Sequence, residues 1–355
     1  ILDCVKLIHF HLGSQITNIR RIKNSLKEVG RFYSELMRFG CNIQYIDVGG
    51  GLGIDYDGSR STFASSTNYS VQEYANDVVY HLLEICKSEN LPHPNIISES
   101  GRAMTAHHSI LVVNVLDVTS FPEWSNEINV SEETPEAVKE IFNVLNSTSN
   151  KNLIESWHDA VHLKEEAQSK FLLGLISLAD RALIERIYWG ICRKIEKISS
   201  RLKFLPDDIS NLRTRLADKY FCNFSVFQSV PDSWAIDQVF PVVPLHRLNE
   251  EPDRDATLAD ITCDSDGRID NFIGTNRGTE NTLRVHSLKE NESYALCIFL
   301  TGAYQEILGD LHNLFGDTNT VHVSLKEDGT INYEQIIEGE DVADVLDYVQ
   351  FSADE

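Results

Sequence analysis

The feature that most constrains the fold is an alternation of short apolar runs with helix-type patterns over the first hundred residues. Apolar runs at 7–10, 43–48 and 95–98 predict three buried strands, and the three- and four-residue spacing of apolar residues over 19–37 predicts a helix. A second helix is predicted to begin at Ser70, a good N-cap. This order favours a parallel sheet with right-handed crossovers. The polar residues that follow each strand are therefore expected at one common edge.

The remainder of the chain changes character twice. Thr134 followed by Pro135 predicts an N-cap and the first residue of a helical stretch that continues to about Tyr220. From there β-branched and aromatic residues return. Predicted strands cover 110–118, 221–227, 256–263 and 294–301, and a hairpin is predicted around Asp328-Gly329. The sequence thus indicates an α/β part, a helical insert and a β-rich part.

Charge and cysteine content exclude several functional classes. The net charge of −23 argues against a broad electrostatic grip on nucleic acid or an anionic membrane. No uninterrupted apolar run is long enough to span a bilayer, so a soluble protein is expected. The seven cysteines include no C-x-x-C pair, which fits a reducing cytoplasm better than disulfides or structural zinc. The first residues lack a methionine start, so we expect the middle of a longer polypeptide.

Two histidines mark the end of the first predicted strand. His9 and His11 are two residues apart and are expected on the same side of that strand, at its carboxyl end. They are either packing residues or a metal pair of the amidohydrolase kind. Gly13 and Ser14 follow, and a Gly-Ser turn suits contact with an anion better than metal ligation.

A glycine loop follows the second predicted strand. Gly49, Gly50 and Gly51 allow backbone N–H groups to converge on a phosphate without a side chain in the way. The frame matches neither the dinucleotide fingerprint nor a P-loop. The alternative is a plain turn.

Charged groups lie at the ends of further strands. Glu99 and Arg102 end the third, where they form either an internal ion pair or a site in which Arg102 binds an anion and Glu99 meets a protonated ring nitrogen. Cys263, Asp264 and Asp266 follow a later strand. A lone cysteine is usually buried filler and an Asp-rich turn is usually solvated.

Five motifs in this order resemble the signature set of the pyridoxal-phosphate-dependent decarboxylases with an alanine-racemase-like barrel and a β domain, and within these the biosynthetic arginine decarboxylases. The motifs are His11-Leu12-Gly13-Ser14, Gly49-Gly50-Gly51, Glu99-Ser100-Gly101-Arg102, Cys263-Asp264-Ser265-Asp266-Gly267 and Gly302-Ala303-Tyr304. The resemblance covers nearly the whole chain. It implies a partial TIM-like (β/α) barrel over 1–109, a strand and linker over 110–130, a helical-bundle insert over 131–220 and a C-terminal β domain over 221–355.

The resemblance also implies roles for these residues. His11 would stack on the ring of pyridoxal 5′-phosphate, Glu99 would bond its nitrogen, and Cys263 would reprotonate the substrate's α-carbon. The phosphate would be held by Ser14, the amides of Gly49, Gly50 and Gly51, Arg102 and Tyr304. Asp264, with Asp266, would face the cationic end of the substrate.

The implied activity is decarboxylation of L-arginine to agmatine and CO2, a step of polyamine and spermidine biosynthesis. The resemblance further implies a homodimer or higher homo-oligomer with shared active sites, and a Mg²⁺ requirement stays open. Two alternatives remain: a non-catalytic pseudoenzyme or regulatory subunit of the same fold, and a metal-dependent hydrolase that uses His9 and His11.

Two departures from the family pattern bear on activity. None of Lys6, Lys23, Lys27 or Lys87 lies in the alanine/valine-Lys-x-Asn setting of the family's Schiff-base lysine, so we expect this chain alone to be inactive. Residues 223–227 replace an Asp-bearing strand that is typical of ornithine-type relatives, which favours the arginine branch.

Overall fold

The computed structural model describes residues 2–121, 130–200, 206–274 and 278–352. Its first part confirms the predicted alternation of strands and helices. The elements are β1 (Leu7–His9), α1 (Ile19–Arg38), β2 (Tyr45–Asp47), α2 (Val71–Glu89) and β3 (Asn95–Ile97). The strands pair in the order β1–β2–β3, and both pairs are parallel. The polar residues that follow the three strands therefore lie at one edge of the sheet.

Each of the two long helices begins at a capping side chain and has one apolar face that is buried. The Asn18 side chain accepts a hydrogen bond from Arg20 N at the start of α1, and Ser70 does the same for Glu73 N in α2. Beyond the last turn of α1, Gly40 has a φ of +90°. The buried stripe of α1 includes Ile19, Ile22, Leu26, Val29 and Tyr33.

The chain leaves this sheet through a short helix, α3 (Gly101–Thr105), and a long strand, β4 (Ile110–Thr119). A helical insert follows, with its own core that includes Ile141, Trp157, Ile187 and Ile191. Its helices are α4 (Glu136–Ser147), α5 (Leu153–Leu172), α6 (Leu178–Ser199), α7 (Asp207–Ser210) and α8 (Leu212–Leu216).

Both predicted ends of the helical stretch are shifted. Pro135, not Thr134, is the N-cap of α4, because the Thr134 hydroxyl accepts a hydrogen bond from Ser131 N instead. The helices end at Leu216 rather than near Tyr220, so the predicted boundary between 220 and 221 falls inside a strand. Tyr220 is buried within that strand because it pairs with a neighbour on each side.

A second sheet, with seven strands among the described residues, forms the β-rich part. The remaining elements are β5 (Asp218–Cys222), α9 (Val226–Ser229), α10 (Pro231–Ala235), β6 (Val242–Pro244), β7 (Arg254–Ala259), β8 (Arg268–Ile269), β9 (Phe272–Ile273), β10 (Thr279–Glu280), β11 (Leu283–Val285), β12 (Ala295–Phe299), α11 (Gln305–Leu308), β13 (Thr320–Leu325), β14 (Ile331–Ile337) and α12 (Val342–Tyr348). The strand order is β11–β7–β5–β4–β12–β6, with β8 beside β7.

One predicted strand of this part is wrong and one hairpin is confirmed. The strand predicted at 221–227 is β5 at 218–222 followed by α9, because the Ser225 side chain caps that helix at Gln228 N. The hairpin around Asp328 is formed by β13 and β14. Within the described ranges, no helix is both long and apolar enough to cross a membrane.

The two parts of the chain that carry strand-end motifs share a core. Ile54, Tyr56 and Ala106 from the first part are buried among residues of the large sheet such as Phe240 and Leu296. The glycine loop and α3 are therefore held against the β-rich part by side-chain packing.

Candidate active site

The candidate site lies at the carboxyl ends of β1, β2 and β3. Backbone hydrogen bonds connect the loops beyond these strands: Phe10 N donates to Asp47 O (3.2 Å), and Glu99 N donates to Gly49 O (2.9 Å). The three loops are thereby fixed side by side. This is the edge at which ligands bind in parallel α/β sheets.

The glycine loop leaves no room for side chains. Gly49 has a φ of +65°, and a Cβ there would lie 2.2 Å from Phe10 O. A Cβ on Gly50 would lie 3.0 Å from Glu99 O and 3.2 Å from His11 Cε1. Another side chain would push these loops apart.

Two of the three loop amides already have acceptors in the chain. Gly49 N donates to Asp47 Oδ1 (2.9 Å), and Gly50 N donates to His11 Nδ1 (3.2 Å). Gly51 N has no acceptor among the described residues. Gly51 N is therefore the loop amide that is free to bind a ligand, and the predicted phosphate contacts of all three glycines stay predictions.

Arg102 is a buried cation surrounded by neutral groups. Its residue exposure is 8%, and it donates to Ser14 Oγ (3.1 Å), Tyr56 OH (2.8 Å) and Ala303 O (3.4 Å). Its guanidinium lies 5.2 Å from the centre of the Tyr304 ring. No described carboxylate lies within ion-pair distance of Arg102, so the alternative of an internal pair with Glu99 is wrong. A buried guanidinium without a counter-charge fits an anionic ligand such as a phosphate.

Tyr56 is a site residue that the sequence did not reveal. Burial raises the pKa of its phenol, while Arg102 beside it acts in the opposite direction. The ring meets Phe240 edge to face, with 5.7 Å between centroids. A tyrosine in an Asp-Tyr-Asp loop carries no sequence signal for such burial, because Phe240 comes from a distant part of the chain.

The two histidines do not form the predicted pair. β1 ends at His9, so His11 lies outside the strand and the two-residue periodicity no longer applies to it. His9 Nδ1 bonds Asp47 Oδ2 (2.9 Å), and ligand atoms of His9, Asp47 and Glu99 lie within 4.8 Å of one another. His11 instead faces the glycine loop. The structure thus does not support a metal pair made of His9 and His11.

The cysteine loop, which carries Cys263, Asp264 and Asp266, lies at the surface of the chain. Cys263, Asp264 and Asp266 are exposed, Asn313 Nδ2 lies 3.5 Å from Cys263 Sγ, and Asp264 Oδ1 accepts from Asp266 N (2.9 Å). Across the described ranges, no hydrogen bond or ion pair joins these three residues to the strand-end cluster. Their predicted roles stay predictions.

Two family models match the chain. The pyridoxal binding domain of pyridoxal-dependent decarboxylases matches residues 3–106, and the arginine decarboxylase helical bundle domain matches residues 131–213. Biosynthetic arginine decarboxylase from Bacteroides thetaiotaomicron is 56% identical over 351 residues, which are 99% of this chain and 55% of that protein. The chain belongs to the biosynthetic arginine decarboxylase family.

Further relatives agree with this family. The biosynthetic arginine decarboxylase of Trichlorobacter lovleyi is 48% identical over 358 residues, covering 100% of this chain and 56% of the relative. The crystal structure of the Campylobacter jejuni enzyme superposes with a TM-score of 0.82 at 36% identity, over 99% of this chain and 57% of that one. The chain therefore spans about half the length of the relatives it matches.

A more distant structure shares only the fold. Diaminopimelate decarboxylase from Helicobacter pylori, crystallised with L-lysine, has a TM-score of 0.52 at 12% identity over 97% of this chain and 54% of that chain. The architecture of this arginine decarboxylase family member is thus an α/β pyridoxal-binding barrel domain with a helical-bundle insert and a β-sheet region.

Proposed function

We propose that the complete protein decarboxylates L-arginine to agmatine and CO2 with pyridoxal 5′-phosphate as cofactor. The observation that carries the proposal is the buried, uncompensated guanidinium of Arg102 at the strand ends of a pyridoxal-binding domain. The arginine specificity is supported by the curated relatives, which are named biosynthetic arginine decarboxylases.

The residues of this chain divide the work of binding. Arg102, with its neighbours Ser14 and Tyr304, would hold the phosphate together with the amide of Gly51. His11, which accepts a hydrogen bond from Gly50 N, would lie against the ring, and Glu99 would face the ring nitrogen and keep it protonated. When bound, the cofactor would supply an electron-poor ring, which is the chemistry that loss of CO2 from an amino acid requires.

The cysteine loop acts on the substrate. Cys263 returns a proton to the α-carbon, and Asp264 with Asp266 binds the guanidinium of arginine. Because the loop is exposed and no described hydrogen bond or ion pair joins it to the strand-end cluster of its own chain, we infer that it acts in the site of a second copy. Two equivalent sites then form across a two-fold axis.

A substrate panel tests this function. The complete protein, with the residues that flank this chain, is incubated with pyridoxal 5′-phosphate and with arginine, ornithine, lysine or diaminopimelate, and CO2 release is measured. We expect kcat/KM for arginine to exceed the others by at least about 100-fold, since a site built for a guanidinium rejects substrates that leave its carboxylates unpaired. A preference for another substrate would contradict the proposal. The same assay repeated with a metal chelator tests whether activity requires Mg²⁺.

A further inference from the structure

Two buried polar side chains lie behind Arg102 without a role in the proposed chemistry. Asp232 in α10 is 7% exposed, and Gln305, the first residue of α11, is 1% exposed. Gln305 directly follows Tyr304. The pair therefore borders the segment that contacts Arg102.

The amide of Gln305 is fully used. Its Nε2 donates to Asp232 Oδ2 (2.9 Å) and to Ala303 O (3.3 Å), and its Oε1 accepts from Asp232 N (3.1 Å). A glutamate cannot make both donations, and an apolar residue can make none of the three bonds. Only an amide of this length satisfies Asp232 and Ala303 together.

Ala303 O joins this pair to the phosphate site. The same carbonyl accepts from Gln305 Nε2 and from Arg102 Nη1 (3.4 Å). Tyr304, which lies between Ala303 and Gln305, places its ring 5.2 Å from the Arg102 guanidinium. The position of residues 303–304 is thus held on one side by Gln305 and sets contacts of Arg102 on the other.

The charge of Asp232 also affects Tyr56, a hydrogen-bond partner of Arg102. Asp232 acts to raise the pKa of Tyr56, whose hydroxyl accepts from Arg102. No described Lys or Arg forms an ion pair with Asp232, so the Gln305 amide is its side-chain donor. A buried carboxylate with a neutral donor is retained at a cost, which argues for a positional role.

We propose that Asp232 and Gln305 are positioning residues that fix residues 303–304 against Arg102 and thereby set the affinity for the phosphate end of the cofactor. The inference rests on the proposed function and adds a supporting layer to it. Groups that hold a ligand-binding side chain in place lower the ordering cost of binding. Loss of the pair therefore weakens the phosphate contact and leaves the ring contacts unchanged.

The test compares two ligands that differ only in the phosphate. Apo-protein of full length is titrated with pyridoxal 5′-phosphate and, separately, with pyridoxal, and both Kd values are taken from cofactor absorbance. We expect Gln305→Met to raise the Kd for pyridoxal 5′-phosphate about tenfold and to change that for pyridoxal less than about twofold, since buried hydrogen bonds of this kind are lost only at the phosphate end. Equal changes for both ligands would overturn the proposal.

Matched variants separate position from general stability. Tyr294→Phe removes a buried hydroxyl that accepts from His286 N (3.0 Å) in the same core, so it should lower Tm without changing the ratio of the two Kd values. Asp232→Asn keeps an oxygen that can accept a hydrogen bond from Gln305. The ratio of the two Kd values should therefore stay as in the parent protein. If Asp232→Asn changes the ratio of the two Kd values as much as Gln305→Met does, the effect depends on the charge of Asp232, and the positioning role is refuted. If Gln305→Met does not fold, the same two Kd values are measured for Asp232→Ala, and the same change in their ratio is expected.

Arg102→Ala in the same titration distinguishes this inference from the proposed function. If Arg102→Ala leaves the Kd for pyridoxal 5′-phosphate unchanged, the phosphate site itself is misassigned. If Arg102→Ala weakens binding and Gln305→Met does not, only the positioning pair is wrong.

Discussion

Arg102 is suited to anion binding because none of its contacts is a carboxylate. The side chain is buried, its partners are hydroxyls, a carbonyl and an aromatic ring, and none of them carries a negative charge that would neutralise it. A cation in such surroundings gains most from a dianionic ligand.

The residue-scale prediction concerns this contact. In the complete protein, Arg102→Ala should weaken binding of pyridoxal 5′-phosphate by about 1.5–3 kcal/mol, the usual value of a charged hydrogen bond. Equilibrium titration of apo-protein measures it. Arg247→Ala is the control, because Arg247 contacts Glu250 and Ser287 O in the β-rich part. An unchanged Kd in Arg102→Ala would remove this residue from the phosphate site.

At the scale of elements, the helical insert meets the large sheet through charged side chains. Arg213 in α8 makes two hydrogen bonds to the Asp255 carboxylate in β7 (3.1 and 2.7 Å). Glu196 in α6 lines a cavity of about 330 Å³ beside this pair. Burial raises the pKa of Glu196, Asp255 raises it further, and Arg213 and Arg193 oppose this.

The element-scale prediction follows from the sign of that shift. A carboxyl whose pKa is raised by folding favours the folded state when protonated, so its contribution is lost as the pH rises from about 4.3, the ordinary value, through the raised one. Glu196→Gln removes the ionisable group and should therefore raise Tm relative to the parent protein at pH 7, with little difference at pH 4. Thermal unfolding at both pH values measures the difference.

Glu166 provides a control of opposite sign in the same insert. Its hydrogen bond from Lys170 (2.8 Å) lowers the pKa of this exposed carboxyl, so its small stabilising effect is present above the ordinary pKa and lost in acid. Glu166→Gln should lower Tm slightly at pH 7. If Glu196→Gln also lowers Tm at pH 7, the burial argument for Glu196 is wrong.

At the scale of the whole molecule, the proposed sharing of the cysteine loop between two copies can be tested with mixed dimers. Two inactive full-length variants, Glu99→Ala and Cys263→Ala, are combined as mixed dimers with two different tags. If each site takes Glu99 from one subunit and Cys263 from the other, one site of a mixed dimer carries both lesions and the other carries none. We expect CO2 release from arginine to return, at up to one intact site per mixed dimer.

Sites that are completed within a single chain would give a different result in this assay. If each chain completes its own site, every site of a mixed dimer keeps one lesion, and activity stays at the level of the separate variants. The assignment of Cys263 and Asp264 to a shared site must then be dropped. Tagged dimers of each single variant give the baseline.

Much of the fold was predictable because its signals are local. The apolar spacing of α1, the Ser70 cap of α2 and the Asp328-Gly329 turn each act over a few residues, and the structure contains all three elements. The errors lie where tertiary pairing overrides local preference. β5 begins at Asp218 because β7 pairs with it from Asp218 and β4 pairs with it from Lys219, which the sequence around Tyr220 does not show.

By itself, the sequence determined the order of the strand-end motifs, the common edge at which the first three of them meet, and the family. Only the tertiary structure decided which groups touch. Arg102 and Ala303 are 201 positions apart, and Asp232 and Gln305 are 73 apart, so their contacts depend on how distant segments of the chain pack together. The physical reason is burial. Whether a polar side chain needs a partner, and which one it finds, depends on the water that distant residues exclude.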